Sequence, residues 1–242
     1  MKDMREAAYV LGVKIHRDRS KRLLALSQET YIRKILKRFN MQNCNPIDTP
    51  IAKGEGLNLK MCPKTPDEKR EMANVPYSNV IGCLMYAMMC TRPDICYAVG
   101  LVSRYQANPG KLHWKAVKRI LRYLKGTADY SLCYQGDNLR LSGYSDADWS
   151  GDLDERKSTS GYVFLLNNGA ISWRSKKQIC TALSTMEAEF IACSATVQEA
   201  VWLRRFLQSL GVIVSAAEPV TVHCDSQAAI AYVKDPKYHG SE

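Results

Sequence analysis

The sequence predicts an α+β chain in which a mainly helical segment is followed by a segment of alternating strands and helices. The 242 residues are 46% hydrophobic, which is enough for a packed core and excludes a wholly disordered chain. Apolar residues recur at helical spacing through much of residues 1–137, whereas short strand-like runs separated by Gly and Asn turns begin at Asn138.

The two segments also differ in charge. Residues 1–138 carry 24 basic and 12 acidic side chains, a net charge of +12, whereas residues 139–242 carry 10 basic and 12 acidic ones, a net charge of −2. A strongly basic segment is typical of a surface that holds a polyanion. An uneven distribution of solubilising lysines is the alternative explanation.

The first part of the chain predicts a hairpin, a helix and a long loop. Ala7–Ile15 and Leu23–Leu26 are strand-like runs separated by a basic turn. Ser27 is placed to cap a helix that continues to about Asn40, because apolar residues then recur every three or four positions. Residues 45–76 are rich in Pro, Gly, Lys and Asn and predict a loop or linker.

Three helices are predicted next, and the last of them is strongly basic. The first two cover Tyr77–Cys90 and Pro93–Tyr105, and the third extends from about Leu112 to Lys125. Five cations of this third helix are candidate contacts for nucleic-acid phosphates: Lys115, Lys118, Arg119, Arg122 and Lys125. A solvated basic face is the alternative interpretation.

The last part of the chain predicts the order β-β-β-α-β-α. The first three strands are close enough in sequence to form an antiparallel meander, and Ser184-x-x-Glu187 is a capping-box pattern at the start of the long helix. The predicted elements are Leu139–Trp149, Ser160–Leu166, Ala170–Ser175, Ser184–Leu210, Pro219–Cys224 and Ser226–Val233.

Three carboxylates lie where these strands and helices meet. Asp146 is in the first strand, Glu189 is in the first turns of the long helix, and Asp225 follows the later strand. Ligands bind at the carboxyl ends of strands in α/β units, and carboxylate oxygens are the ligands that Mg²⁺ prefers. The pattern therefore predicts a Mg²⁺ site, with Mn²⁺ as an alternative ion, although each carboxylate alone could be an ordinary cap or turn residue.

Cysteine and histidine usage indicates the environment and the metal class. The nine cysteines are odd in number, irregularly spaced and without a C-x-x-C motif, so we expect an intracellular, reducing location in cytoplasm or nucleus. The four histidines are scattered and form no ligand pair, so their spacing indicates no zinc site. The apolar run Val80–Cys90 is too short to span a bilayer, and no signal peptide or membrane partner is expected.

Motifs along the whole chain resemble one family. The motifs of the last part are Tyr144-Ser-Asp-Ala-Asp-Trp, Asp152-Leu-Asp-Glu-Arg-Lys-Ser-Thr-Ser-Gly-Tyr, Ile171-Ser-Trp, Ser184-Thr-Met-Glu-Ala-Glu-Phe and Cys224-Asp-Ser-Gln. They resemble the ribonuclease H domain of copia-type LTR-retrotransposon Pol polyproteins. Four upstream motifs resemble the stretch after the polymerase palm of the same polyproteins: Leu26-Ser-Gln-Glu-Thr-Tyr-Ile, Val75-Pro-Tyr-Ser, Thr91-Arg-Pro-Asp-Ile and Arg119-Ile-Leu-Arg-Tyr-Leu-Lys-Gly-Thr.

The resemblance implies a domain organisation. Residues 1–16 would be the tail of the polymerase palm, 17–76 the thumb and a linker, and 77–137 the connection of a reverse transcriptase. Residues 138–242 would be a C-terminally truncated ribonuclease H-like domain, with a mixed sheet and flanking helices. The remaining Pol segments of the parent polyprotein are the implied partners.

The resemblance also implies a reaction and its residues. The reaction is Mg²⁺-dependent hydrolysis of the RNA strand of an RNA–DNA hybrid, with Asp146, Glu189 and Asp225 as catalytic metal ligands. Glu187 is a second candidate for the glutamate, but its role as the capping partner of Ser184 already explains it. Phe-Ile-Ala after Glu189 matches the family pattern, which favours Glu189. Asp148 shares a strand face with Asp146 and is a candidate neighbour of the site.

Two departures from the family pattern reduce the expected activity. The family's fourth acidic residue, with the last strand and helix, would follow Glu242, and the adjacent aspartates of the polymerase do not occur in this sequence. We therefore expect an incomplete ribonuclease H-like fold with weak or no cleavage. Two alternatives are a catalytically dead nucleic-acid-binding module and a decayed open reading frame without function. An integrase on the same fold agrees less well with the upstream motifs.

Overall fold

Two compact units make up the chain, Met1–Gln135 and Gly136–Glu242. The computed structural model describes residues 6–54, 56–136, 139–212 and 219–235. Each unit contains a four-stranded sheet and helices, which confirms the predicted α+β class. Among the described residues, no helix has the length and apolar character needed to cross a membrane.

The sheet of the first unit is antiparallel, with the strand order β1-β2-β3-β4. Its strands are β1 Tyr9–Val10, β2 Val13–Asp18, β3 Leu23–Ser27 and β4 Ser131–Gln135. The hairpin of β2 and β3 confirms the prediction, but the run over residues 7–15 is not one strand. Leu11 and Gly12 both have positive φ, 49° and 79°, and form the tight turn that divides it. The strand β4 was not predicted from the sequence.

Five α-helices of the first unit supply most of its core. Their bounds are α1 Glu29–Arg38, α2 Pro66–Ala73, α3 Tyr77–Cys90, α4 Cys96–Ser103 and α5 Lys111–Gly126, with 3₁₀ turns at Leu59–Met61 and Pro93–Ile95. Ile32, Ile81, Val99 and Leu121 come from four of these helices and are buried in one apolar cluster. The predicted amphipathic faces of these helices therefore meet in a shared core.

Two further predictions for the first unit were wrong in detail. The N-cap of α1 is Gln28 rather than Ser27, although the Ser27 hydroxyl accepts a hydrogen bond from the N–H of Glu29 at 3.2 Å. Part of the predicted loop over residues 45–76 is helical, because α2 starts with a complete capping box. The Thr65 hydroxyl accepts from the N–H of Glu68, and the Glu68 carboxylate accepts from the N–H of Thr65.

A buried guanidinium connects the start of the second 3₁₀ turn to the end of α5. Arg92 is only 2% exposed and donates to the Asp94 carboxylate at 2.6 Å and to the Thr127 carbonyl at 2.9 Å. The Tyr123 hydroxyl donates to the same carboxylate at 2.7 Å. Burial alone would raise the pKa of Asp94, but hydrogen bonding to Arg92 and its charge lower the pKa overall. The buried charge is therefore paired, as its desolvation requires.

The sheet of the second unit is mixed, with the order β7-β6-β5-β8. Its elements are β5 Leu141–Asp148, β6 Thr159–Leu166, β7 Gly169–Lys177, α6 Thr185–Ser209, β8 Thr221–Cys224 and α7 Gln227–Lys234. β5, β6 and β7 form the predicted antiparallel meander, and β8 pairs with β5 in parallel. The helix α6 packs on β5 and β6.

A glycine on β5 permits the close packing that positions α6. A Cβ atom at Gly143 would lie 2.5 Å from the ring of Phe164 on β6, so only glycine leaves room for this ring. Phe164 is fully buried in one cluster with Leu203 and Leu207 of α6. This packing holds α6 on the sheet, and Glu189 near the start of α6 reaches the end of β5.

Candidate metal centre

Asp146 and Asp225 occupy neighbouring positions at the ends of two parallel strands. Ser145 of β5 pairs with Cys224 of β8 in the parallel register, so Asp146 and Asp225 are the next residues along the two strands. Both aspartates are exposed. This is the strand edge at which α/β sheets bind ligands.

Glu189 extends from α6 towards the same edge, and its carboxylate is largely buried. The residue is 8% exposed, and its Oε1 atom accepts a hydrogen bond from the backbone N–H of Ala147 at 3.2 Å. Burial raises the pKa of Glu189, and the negative charges of Asp146 and Asp225 raise it further, whereas the Ala147 hydrogen bond opposes the rise. The three carboxylates are therefore close enough to interact electrostatically.

A tighter cluster contains two of these carboxylates and a thiol. One ligand atom each from Glu189, Cys224 and Asp225 lies within 4.8 Å of the other two. Asp146 is not a member of this cluster. Ser145 is buried on the α6 side of β5, so strand alternation directs Asp146 to the other face. Asp225 follows the last residue of β8 and is not restricted by this alternation.

Glu187, the other candidate glutamate, is engaged in the N-terminal cap of α6. Its N–H donates to the Ser184 hydroxyl at 3.1 Å, as the capping pattern predicted. Its carboxylate accepts from the N–H of Leu183 at 2.7 Å, not from the N–H of Ser184 as expected. The candidate neighbour Asp148 lies against Gly151, where a Cβ atom would be 1.9 Å from its Oδ2 atom. Neither residue belongs to the cluster.

The donor set fits a hard divalent cation. Glu189 and Asp225 offer neighbouring carboxylate oxygens, Asp146 offers a third from the adjacent strand end, and the Ala147 N–H fixes the orientation of Glu189. A cation at this edge would compensate the negative charges that raise the pKa of Glu189. Sequence reasoning missed Cys224, for which the only local signal was its position directly before Asp225.

Of the five cations predicted to contact phosphates, three donate hydrogen bonds to a neighbouring loop and two are exposed. Arg119, Arg122 and Lys125 donate to Thr49 Oγ1, the Asn45 carbonyl and the Cys44 carbonyl, at 2.8, 2.7 and 2.5 Å. They therefore hold residues 44–49 against α5, a role that the sequence analysis did not predict. Lys115 and Lys118 are exposed, and together with Arg119 and Arg122 they line a cavity of about 330 Å³.

Comparisons with known proteins identify the family. No protein-family model and no solved structure matches the chain. Over 99% of its length, the chain is 55% identical to a retrovirus-related Pol polyprotein from transposon TNT 1-94 of Nicotiana tabacum, of which it covers 18%. It is 38% identical to the Pol polyprotein from transposon RE2 of Arabidopsis thaliana, again over 99% of the chain but 16% of that polyprotein.

A shorter relative is matched over most of its length. It is an uncharacterized mitochondrial protein of Arabidopsis thaliana, 33% identical over 84% of this chain and 80% of that protein. The chain belongs to the family of copia-type, retrovirus-related Pol polyproteins of transposons. It spans less than a fifth of the length of the tobacco and RE2 Pol polyproteins.

Proposed function

We propose that the second unit is a ribonuclease H-like module whose ancestral reaction is hydrolysis of the RNA strand of RNA–DNA hybrids. The observation that carries this proposal is the proximity of the Glu189 and Asp225 carboxylates at the strand end that also carries Asp146. Each comes from a different element, β5, α6 or the end of β8, in a chain of the Pol family. The first unit would then be the palm tail, thumb and connection, with other Pol segments as partners.

In this proposal, each carboxylate has a distinct task. Glu189 is oriented by the Ala147 N–H and would be an anchored ligand, whereas the exposed Asp146 and Asp225 would face the incoming phosphodiester. Bound Mg²⁺ would supply the charge that activates a water molecule and stabilises the leaving oxygen. The burial of Glu189 keeps one side of its carboxylate away from solvent, which strengthens its electrostatic interaction with a cation.

We propose weak cleavage by this chain, because the cluster within 4.8 Å contains two carboxylates and no third among the described residues. A two-ion mechanism needs both ions to be held about 4 Å apart. With Asp146 outside the cluster, one ion would be held more firmly than the second. A catalytically dead nucleic-acid-binding module is the second candidate, and the cationic cavity at Lys115 and Lys118 favours it.

A hybrid-cleavage assay tests the proposed function. An end-labelled RNA–DNA hybrid is incubated with the chain and Mg²⁺ or Mn²⁺, in parallel with the Asp146→Asn and Glu187→Gln variants. We expect slow, metal-dependent cleavage that Asp146→Asn abolishes and that Glu187→Gln leaves unchanged. Cleavage that persists in Asp146→Asn would contradict the assignment. Salt-dependent binding of the hybrid without any cleavage would support the second candidate.

A further inference from the structure

The cluster at the end of β8 contains a ligand type that Mg²⁺ does not use. The Cys224 Sγ atom lies 4.0 Å from Glu189 Oε2, and one ligand atom each from Cys224, Glu189 and Asp225 lies within 4.8 Å of the other two. Mg²⁺ selects oxygen ligands, whereas Zn²⁺ and Cd²⁺ also bind thiolate sulfur. Ligands of a tetrahedral zinc ion lie roughly 3.5 Å apart, since Zn–S and Zn–O bonds are about 2.3 and 2.0 Å long. The cluster needs only a small contraction to reach this geometry.

We propose that Cys224, Glu189 and Asp225 form a site for a thiophilic divalent cation such as Zn²⁺. Three protein ligands leave a fourth position open for water, as in zinc sites with an exchangeable ligand. The Cys224 thiol releases one proton to solvent as its sulfur coordinates the ion. Histidine spacing could not indicate this site, because its ligands are one thiol and two carboxylates from separate elements.

The surroundings of Cys224 provide a second observation that points to a ligand. Ser145 pairs with Cys224 across the two strands, and its side chain is buried on the α6 side of β5. Among the described residues, the Ser145 hydroxyl makes no hydrogen bond of normal geometry; it interacts with the Cys193 thiol, where it partly offsets the rise in pKa that burial causes. Burying a hydroxyl without a hydrogen bond of normal geometry destabilises the fold, unless a bound water or an ion-coordinated water completes its hydrogen bonding.

A second thiol lies nearby but outside the ligand cluster. Cys193 of α6 and Cys224 both line a cavity of about 430 Å³, which gives access to the two thiols. Burial raises the pKa of Cys193 to about 11, and its hydrogen-bonded neighbour Cys224 adds to the rise. Cys193 is not one of the three residues whose ligand atoms lie within 4.8 Å of one another. It is therefore a matched control for Cys224.

Occupation of this site would exclude Mg²⁺, because both ions would use Glu189 and Asp225. Micromolar Zn²⁺ would then inhibit a reaction that millimolar Mg²⁺ supports. This inhibition rests on the proposed function, but the binding itself does not. Metal binding can be measured at the Cys224 thiol without any cleavage assay. A negative result there would contradict this inference and leave the proposed function untouched.

Site-resolved alkylation tests the inference. All nine cysteines are free thiols, and their reaction with iodoacetamide can be followed for each peptide by mass spectrometry. We expect Zn²⁺ to slow the alkylation of Cys224 at least tenfold, whereas Mg²⁺ leaves the rate unchanged. The protection should persist in Cys193→Ser and disappear in Asp225→Asn and in Glu189→Gln.

Two results would overturn the inference. One is an unchanged rate of Cys224 alkylation in Zn²⁺. The other is protection that survives in both carboxylate variants but disappears in Cys193→Ser, because the ion would then be held by the two thiols. Asp225 is exposed, so its substitution leaves the core intact even if the change at the buried Glu189 perturbs folding.

Discussion

The Oε1 atom of Glu189 on α6 accepts a hydrogen bond from the backbone N–H of Ala147 on β5, at 3.2 Å. This contact attaches the start of the long helix to the strand that carries Asp146. It also holds a largely buried carboxylate beside two exposed aspartates, whose charges disfavour its ionisation. The arrangement is unfavourable for the stability of the empty site and favourable for a cation.

The first prediction is that Glu189→Gln stabilises the second unit at neutral pH. The pKa of Glu189 is raised above its ordinary value of 4.5, so the unfolded chain ionises first as the pH rises. The free energy of unfolding therefore falls above about pH 4.5 in the original chain, and glutamine removes this loss while it can still accept the Ala147 hydrogen bond.

Urea unfolding followed by tryptophan fluorescence at about pH 4 and about pH 7 measures this effect. The stability difference between Glu189→Gln and the original chain should be larger at the higher pH. An equal difference at both pH values would show that the burial and charge of this carboxylate do not affect folding.

The second prediction concerns the cap of α6. Ser184→Ala removes the acceptor for the N–H of Glu187 and should destabilise the second unit by about 1 kcal/mol. Ser194→Ala is the matched control, because this exposed serine lies inside the same helix, where alanine is the better helix former. Denaturant unfolding measures both variants. Equal losses would contradict the cap.

The third prediction concerns Arg92. Arg92→Met leaves the Asp94 carboxylate without its buried partner and should destabilise the first unit by about 3–5 kcal/mol. Arg33→Met is the control, since it removes only an exposed pair with Glu29 and should cost about 0.3–0.5 kcal/mol.

Acid unfolding tests the same ion pair through the protonation of its carboxylate, Asp94. The pKa of Asp94 is lowered from 3.8, so its stabilising effect is complete above that pH and is lost as the pH falls through the lowered value. Arg92→Met should lack this acid-sensitive contribution. An acid-unfolding curve identical in shape for Arg92→Met and the original chain would contradict the pairing.

The fourth prediction concerns hybrid binding by the exposed cations of α5. Replacing Lys115 and Lys118 by Gln should reduce the slope of log affinity against log salt by about 1.8, since each lost phosphate contact contributes about 0.9. Lys14 and Lys69 are exposed lysines on other elements, β2 and α2, and their replacement by Gln is the charge-matched control. Identical slopes for the two double variants would exclude a specific phosphate surface at Lys115 and Lys118.

Elements with strong local signals were predicted well from the sequence. The bounds of α3 agree at both ends, and α6 begins directly after its predicted cap, Ser184. The strand β4 was missed because its five residues become a strand only by pairing with β3, far earlier in the chain. The helix α2 was missed although Thr65-x-x-Glu68 is a local capping signal, because the surrounding loop-like composition outweighed it.

The candidate site likewise contains residues that could be predicted from local sequence and contacts that could not. Glu189 and Asp225 were predicted to lie close together because residues at the ends of helices and strands meet at one edge, and the structure places them so. The contact of Cys224 with Glu189 depends on how α6 packs on β8, which no local pattern encodes. The hydrogen bond of Arg122 to the Asn45 carbonyl also depends on a distant loop, so the sequence alone could not separate it from a phosphate contact.

We propose that Glu189 and Asp225, and not Glu187, hold a divalent cation, and Mn²⁺ binding followed by electron paramagnetic resonance tests this directly. We predict that the original chain and Glu187→Gln bind Mn²⁺ with the same affinity, whereas Glu189→Gln and Asp225→Asn bind it at least tenfold more weakly. Unchanged binding in Glu189→Gln, or a loss confined to Glu187→Gln, would contradict the account.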